Sequence, residues 1–209
     1  MILVSKEANP LLIEYLRDTD EVSLVGPIKN VGEGISCHPD VLYCRLGGGS
    51  KAYIFKGNDA VLGKEYPDDC RFNAVVLEKY IIHKKGVTDD SLLSKVNREY
   101  IDVPQGYTKC NVVVVDDDHI ITSDEGIAKA AAGKVDCLLI SPKQIILPGF
   151  RYGFIGGCSG RVGNKIVFNG NLKAHSDFDR IVEFIKACGL ETVYFEDWPL
   201  TDIGSIIWW

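Results

Sequence analysis

The chain has 209 residues, 46% of them apolar and 25% charged, with a net charge of −6. That length suits one domain with a full core, and the acidic balance argues against a nucleic-acid or anionic-membrane partner. There is no signal-peptide pattern and no run near the roughly 20 apolar residues of a membrane span. The seven cysteines include no Cys-x-x-Cys pair, which fits free thiols in a reducing compartment, so a cytoplasmic protein is expected.

In chain order, residues 2–4 read as a strand. A helix follows, capped by Asn9, opened by Pro10 and presenting Leu11, Leu12, Tyr15 and Leu16, and then a second strand over 21–25. Residues 41–45 and 51–55 form a hairpin pattern around Gly47-Gly48-Gly49, with little helix after it. The glycines are no phosphate loop, because no Gly-Lys-Ser/Thr follows them.

Three fuller units come next. Residues 73–77 turn into 80–83, followed by a helix after Thr88 and a strand over 99–103. Residues 111–115 turn at Asp116-Asp117 into 119–122, followed by a helix after Ser123 that stops at Gly133, and a strand over 135–140. Residues 158–162 turn at Gly163-Asn164 into 165–168, followed by a helix after Ser176 that stops at Gly189, and a strand over 192–195. The carboxy-terminal stretch 203–207 reads as the first strand of a unit completed by the amino terminus. Aligned starts at Asp40, Asn73, Cys110, Cys158 and Asp202 are 33, 37, 48 and 44 residues apart, a degenerate repeat of about 40.

Each unit start carries reactive or polar side chains. Cys158 lies in a run with Gly153, Gly156, Gly157 and Gly160, whose amides would lower a thiol pKa if they faced it. Cys110 holds the equivalent place one unit earlier, and a redox pair between the two is a further reading. His38, before a proline, suits an acid–base role. Asp40, Asp69 and Asp202 are the carboxylates nearest unit starts, Asp202 within an apolar stretch where a charge needs a partner. Asn73, Asn111 and Arg151, the last beside Tyr152, suit ligand binding. The plain alternatives are a small core residue for Cys158, local hydrogen bonds for His38, caps for the aspartates, strand-end bonds for the asparagines and a surface ion pair for Arg151.

His83 reads as an exposed strand end, and His119 and His175 as turn or capping residues. Cys137 and Cys188 read as small core residues. Asp116-Asp117-Asp118 reads as a solvated turn, so no metal and no cofactor is expected. Trp208 and Trp209 suit the core or a homodimer contact.

Five ββαβ units around a pseudo-fivefold axis, closed by the two chain termini, resemble the α/β pentein β/α-propeller. That superfamily includes arginine deiminase, agmatine deiminase, dimethylarginine dimethylaminohydrolase and a non-catalytic ribosome-binding factor. The architecture would make residues 1–209 a single pentein-like domain, in a short bacterial branch. His38-Pro39-Asp40 looks like the deiminase His-x-Asp element, and Gly156-Gly157-Cys158 like the approach to its nucleophile. The chain departs from the pattern in that a complete unit follows Cys158. The resemblance implies a cysteine-dependent hydrolase or transferase acting on a small guanidine or amidine. Cys158, His38 and Asp40 would be catalytic, and Asp202, Asp69, Asn73, Cys110, Asn111 and Arg151 would bind substrate. The alternative is a non-catalytic ring-shaped binding protein.

Overall fold

A computed structural model describes residues 1–47 and 52–209. Gly48, Gly49 and Lys51, part of the expected first hairpin, lie outside the described residues. Among those described, five small sheets account for all the paired strands, and no helix is long and apolar enough to cross a membrane.

Three sheets repeat one pattern, an antiparallel hairpin followed by a parallel third strand. They are β5 (Val75–Val76), β6 (Tyr80–His83) and β7 (Glu99–Asp102); β8 (Val112–Val114), β9 (His119–Thr122) and β10 (Asp136–Leu139); and β11 (Ser159–Val162), β12 (Lys165–Phe168) and β13 (Glu191–Val193). A fourth, β3 (Tyr43–Leu46) with β4 (Tyr53–Lys56), is a hairpin alone. The fifth joins the chain ends. β14 (Ile207–Trp208) pairs antiparallel with β1 (Ile2–Ser5), Ile2 opposite Trp208, and β1 pairs in parallel with β2 (Val22–Val25). The expected terminal strand at 203–207 thus begins later, because residues 203–205 form a turn with Gly204 and Ser205 at positive φ.

Helices pack beside these sheets. In α1 (Pro10–Arg17), the Asn9 side chain accepts the Leu11 amide, and Leu12, Ile13 and Leu16 are buried while Leu11 faces out. The expected caps Thr88, Ser123 and Ser176 each give way to the aspartate next to or near it. Asp89 caps α3 (Asp90–Leu93) and Asp124 caps α5 (Glu125–Ala131), each accepting a backbone N–H. Asp177 precedes α6 (Phe178–Ala187), with its carboxylate held by Ser141 N and Arg180. Ser176 Oγ accepts from Gln144 instead. A carboxylate is a strong acceptor for an orphan amide, which accounts for the shift at Asp89 and Asp124, while the Asp177 carboxylate bonds no amide of its own helix.

Two single-turn helices sit directly before first strands: α2 (Pro39–Leu42) before β3 and α4 (Thr108–Asn111) before β8. They make the unit starts turns rather than strand. Those turns are joined in a circuit. Asp40 N donates to Gly204 O, Ser205 N to Gly157 O, Gly157 N to Cys110 O and Lys109 N to Asn73 O. Asn73 Nδ2 then donates to Asp40 O at 3.1 Å. Each link satisfies backbone groups that a buried turn would otherwise leave unpaired.

Candidate functional site

The circuit gathers side chains from distant parts of the chain into one buried polar cluster. Asp40, on α2, takes two bonds at Oδ2, from Ser205 Oγ at 2.5 Å and from the Cys110 thiol at 3.2 Å. Its Oδ1 is buried without a partner. Asn73 grips Cys110, accepting its amide and donating to its sulfur, both at 3.1 Å. Lys109 Nζ donates to Ser205 Oγ at 3.0 Å and to the carbonyls of Val112 and Gly156. Asp202 accepts Phe154 N and Gly204 N, and its Oδ1 lies 3.8 Å from His38 Nδ1.

Two glycines allow this approach. A methyl on Gly157 would lie 2.1 Å from Asp202 Oδ1, and one on Gly204, at φ 72°, would lie 2.1 Å from His38 Cβ. The glycine run around Cys158 therefore makes room for Asp202, and the Phe154 amide goes to that carboxylate.

Burial governs the ionisation of the cluster. It raises Asp40, with Asp202 adding to the rise and His38 and Lys109 opposing it. It raises Asp202 to about 6 and lowers Lys109 and His38. Burial, Asp40 and Asp202 together push the Cys110 thiol well up. Burial and Asp202 do the same to Cys158, which donates to Ile155 O at 3.2 Å among apolar neighbours including Val113 and Phe168.

The structure thus brings together His38, Asp40, Asn73, Cys110 and Asp202. Cys158 is close enough to feel Asp202, but it bonds no cluster side chain among the described residues. Asp69 stands apart, buried, with Tyr107 Oη donating to Oδ2 at 2.5 Å and Oδ1 unpartnered. Asn111 Nδ2 donates to Tyr107 O, pinning α4. Arg151 is exposed, with no hydrogen bond or ion pair among the described residues.

Lys109 and Ser205 went unread in the sequence. The available signals were Lys109 beside Cys110 at a unit start, and Ser205 as a further polar residue in the apolar stretch that holds Asp202. His83, expected to be exposed, is fully buried. Its ring reaches Thr88 Oγ1 at 2.6 Å and Gly106 O at 2.8 Å, so the end of β6 is covered by the Gly106 turn.

Asp116, His119 and Cys188 bring ligand-type atoms within 4.8 Å of one another. His119 Nδ1 and Asp116 Oδ1 already share a 2.8 Å hydrogen bond. On the strand side of Lys109 lies a cavity of about 250 Å³ between the first strands of all five sheets.

Over residues 3–207 the sequence matches a family of unknown function, DUF6873, and the chain belongs to that family. No protein of curated function matches it. Among solved structures, C. jejuni agmatine deiminase is similar in fold, with a TM-score of 0.51 at 11% identity over 95% of this chain and 90% of that one. The fold is thus a mixed α/β arrangement of small sheets like that of the deiminase.

Proposed function

We propose that this member of DUF6873 is a single pentein-type ring of five units and a cysteine-dependent hydrolase of a small guanidine or amidine, with Cys110 as nucleophile. The similarity in fold to an agmatine deiminase and the circuit through the five unit starts support the ring. The chemistry rests on one observation: the Cys110 thiol lies 3.2 Å from Asp40 Oδ2, while Asp40 Oδ1 is buried and unpaired.

Two carboxylates, Asp40 and Asp202, share this cluster with one ammonium, Lys109. A guanidinium would balance the excess negative charge and take the open Asp40 oxygen. Its positive charge would also favour the Cys110 thiolate, which the two aspartates otherwise oppose. The thiol proton passes to Asp40, whose raised pKa suits it as acceptor. Sulfur adds to the electron-poor carbon, and the C–N bond breaks as the departing amine takes the proton back from Asp40. Water, deprotonated by the neutral imidazole of His38, then displaces sulfur to give the urea or amide, and the proton held on His38 returns to the thiolate to restore the thiol.

Incubation with arginine, agmatine and methylated arginines should release ammonia or an alkylamine. Cys110→Ser should abolish release, and Cys158→Ser should leave most of it. No turnover by folded protein across that panel would overturn hydrolysis, and loss in Cys158→Ser alone would move the nucleophile to Cys158.

A second reading, a ring that binds without catalysis, is favoured by the burial and mutual hydrogen bonding of Asp40, Asn73, Cys110 and Ser205. It predicts saturable binding of the same cations, detected by calorimetry, with no product.

A further inference from the structure

The cavity on the strand side of Lys109 plays no part in that chemistry. Its wall takes a residue from each first strand: Arg45 of β3, Val76 of β5, Val114 of β8, Arg161 of β11 and Trp208 of β14, with Lys109 also in the lining. Cys110, Asp40, His38 and Asp202 do not line it. Lys109 is therefore shared between the cavity wall and the thiol cluster.

The charges in this wall favour an anion. Arg45 and Arg161 hold equivalent places in their units and are braced alike. Arg45 donates to Gly47 O at 2.8 Å and to Trp208 O at 2.9 Å; Arg161 donates to Gly163 O and Val115 O, both at 3.0 Å. Each guanidinium is thus fixed by its own hairpin turn and by a neighbouring first strand. Burial disfavours the charge on Arg45 most; the Asp117 carboxylate opposes that, and the charge on Arg161 adds to it.

Two carboxylates, Asp116 and Asp117, line the cavity against three cations, Arg45, Lys109 and Arg161. Asp117 Oδ1 accepts Glu78 N, and Asp116 Oδ1 accepts Asp118 N and hydrogen-bonds His119. The rest of the wall is largely apolar, with Val75, Val76, Val114, Ile206 and Ile207. A mostly apolar concavity with a few fixed polar groups is the usual form of a small-molecule site.

We propose that this cavity is a second ligand site, taking a small amphipathic anion whose carboxylate or phosphate meets Arg161 and whose apolar body lies against Val76, Val114 and Ile207. An anion there also pulls on the Lys109 ammonium, which reaches Asp40 through Ser205, so occupancy is felt at the thiol cluster.

The test is calorimetric titration of the whole protein with benzoate, phenyl phosphate and the neutral benzamide, with acetate and inorganic phosphate to show whether the apolar body is needed. One or both aromatic anions should bind at least about tenfold more tightly than benzamide, the scale of one charge-assisted hydrogen bond, and more tightly than acetate or inorganic phosphate. Arg161→Gln should lose about tenfold for the anions, and Val114→Phe, which fills the cavity, should lose binding altogether. Neither residue bonds the thiol cluster, so amidine turnover tests a separate claim. Failure of both aromatic anions to bind, equal binding of benzamide, acetate or inorganic phosphate binding as well as the aromatic anions, or affinity unchanged in both variants would overturn the proposal.

Discussion

Asn73 holds Cys110 at two points, its Oδ1 accepting the cysteine amide and its Nδ2 donating to the sulfur, each at 3.1 Å. The same Nδ2 reaches Asp40 O, so one buried amide spans three unit starts. Its removal strands a buried N–H and a buried carbonyl at once. Asn73→Ala should cost about 3 kcal/mol in urea unfolding, with Asn73→Asp at least as damaging because it sets a carboxylate against Asp40 O. A cost under about 0.5 kcal/mol, the range of an ordinary surface change, would show that the circuit does not bear on stability.

Asp40 should set the reactivity of Cys110. Its carboxylate is among the charges that push the thiol up. With Asp40→Asn, iodoacetamide should modify Cys110 several-fold faster near neutral pH, because the thiolate fraction follows the pKa. Cys158, which has no bond to Asp40, should label at its original slow rate. Mass spectrometry of the labelled peptides separates the two. Equal acceleration at both would indicate general loosening of the fold.

Much of the architecture was legible in chain order. The two-residue hairpin at Gly163-Asn164 could be read because Gly163 supplies the positive φ that the turn needs, and the structure pairs Val162 with Lys165 across it. The pairing of the chain ends was legible from two half-units whose periods match. The sequence places strand from Asn111 and from Cys158 onward, since both abut valine-rich or alternating runs. The α4 turn is instead imposed by tertiary bonds, from Lys109 N to Asn73 O and from Cys110 N to Asn73 Oδ1, and local periodicity carries no trace of a partner 37 residues away. For the same reason the sequence favours Cys158, with its glycine run, as nucleophile over Cys110. Only coordinates separate a thiol aimed at Ile155 O from one aimed at Asp40.

Gly157 is a spatial requirement of the cluster. Its added methyl would overlap Asp202 Oδ1, and Gly157 also takes part in the circuit through both its amide and its carbonyl. Gly157→Ala should destabilise by about 1 to 3 kcal/mol, as overpacking does, and should displace Asp202 from the Phe154 and Gly204 amides. Any turnover should fall more than stability alone explains. A variant with wild-type melting and turnover would show that the approach is looser than 2.1 Å implies.

His83 gives the protein a defined acid sensitivity. The ring is buried, with Nε2 donating to Gly106 O and Nδ1 hydrogen-bonded to Thr88 Oγ1. Burial holds its pKa at about 4, against 6.5 for the exposed group. Between those values the unfolded chain binds a proton that the folded chain does not, so this contribution grows as pH rises and is lost as pH falls from 6.5 toward 4. The shift corresponds to about 3 kcal/mol over the window. Asp202, raised to about 6, has the opposite slope between its ordinary 3.8 and 6, and the buried His38 and His175 share the sign of His83. Only a difference against a variant isolates His83. The gap in urea midpoint between wild type and His83→Gln should therefore be largest near pH 7 and narrow toward pH 4. A gap independent of pH would mean that His83 titrates in the folded chain as it does in the unfolded one.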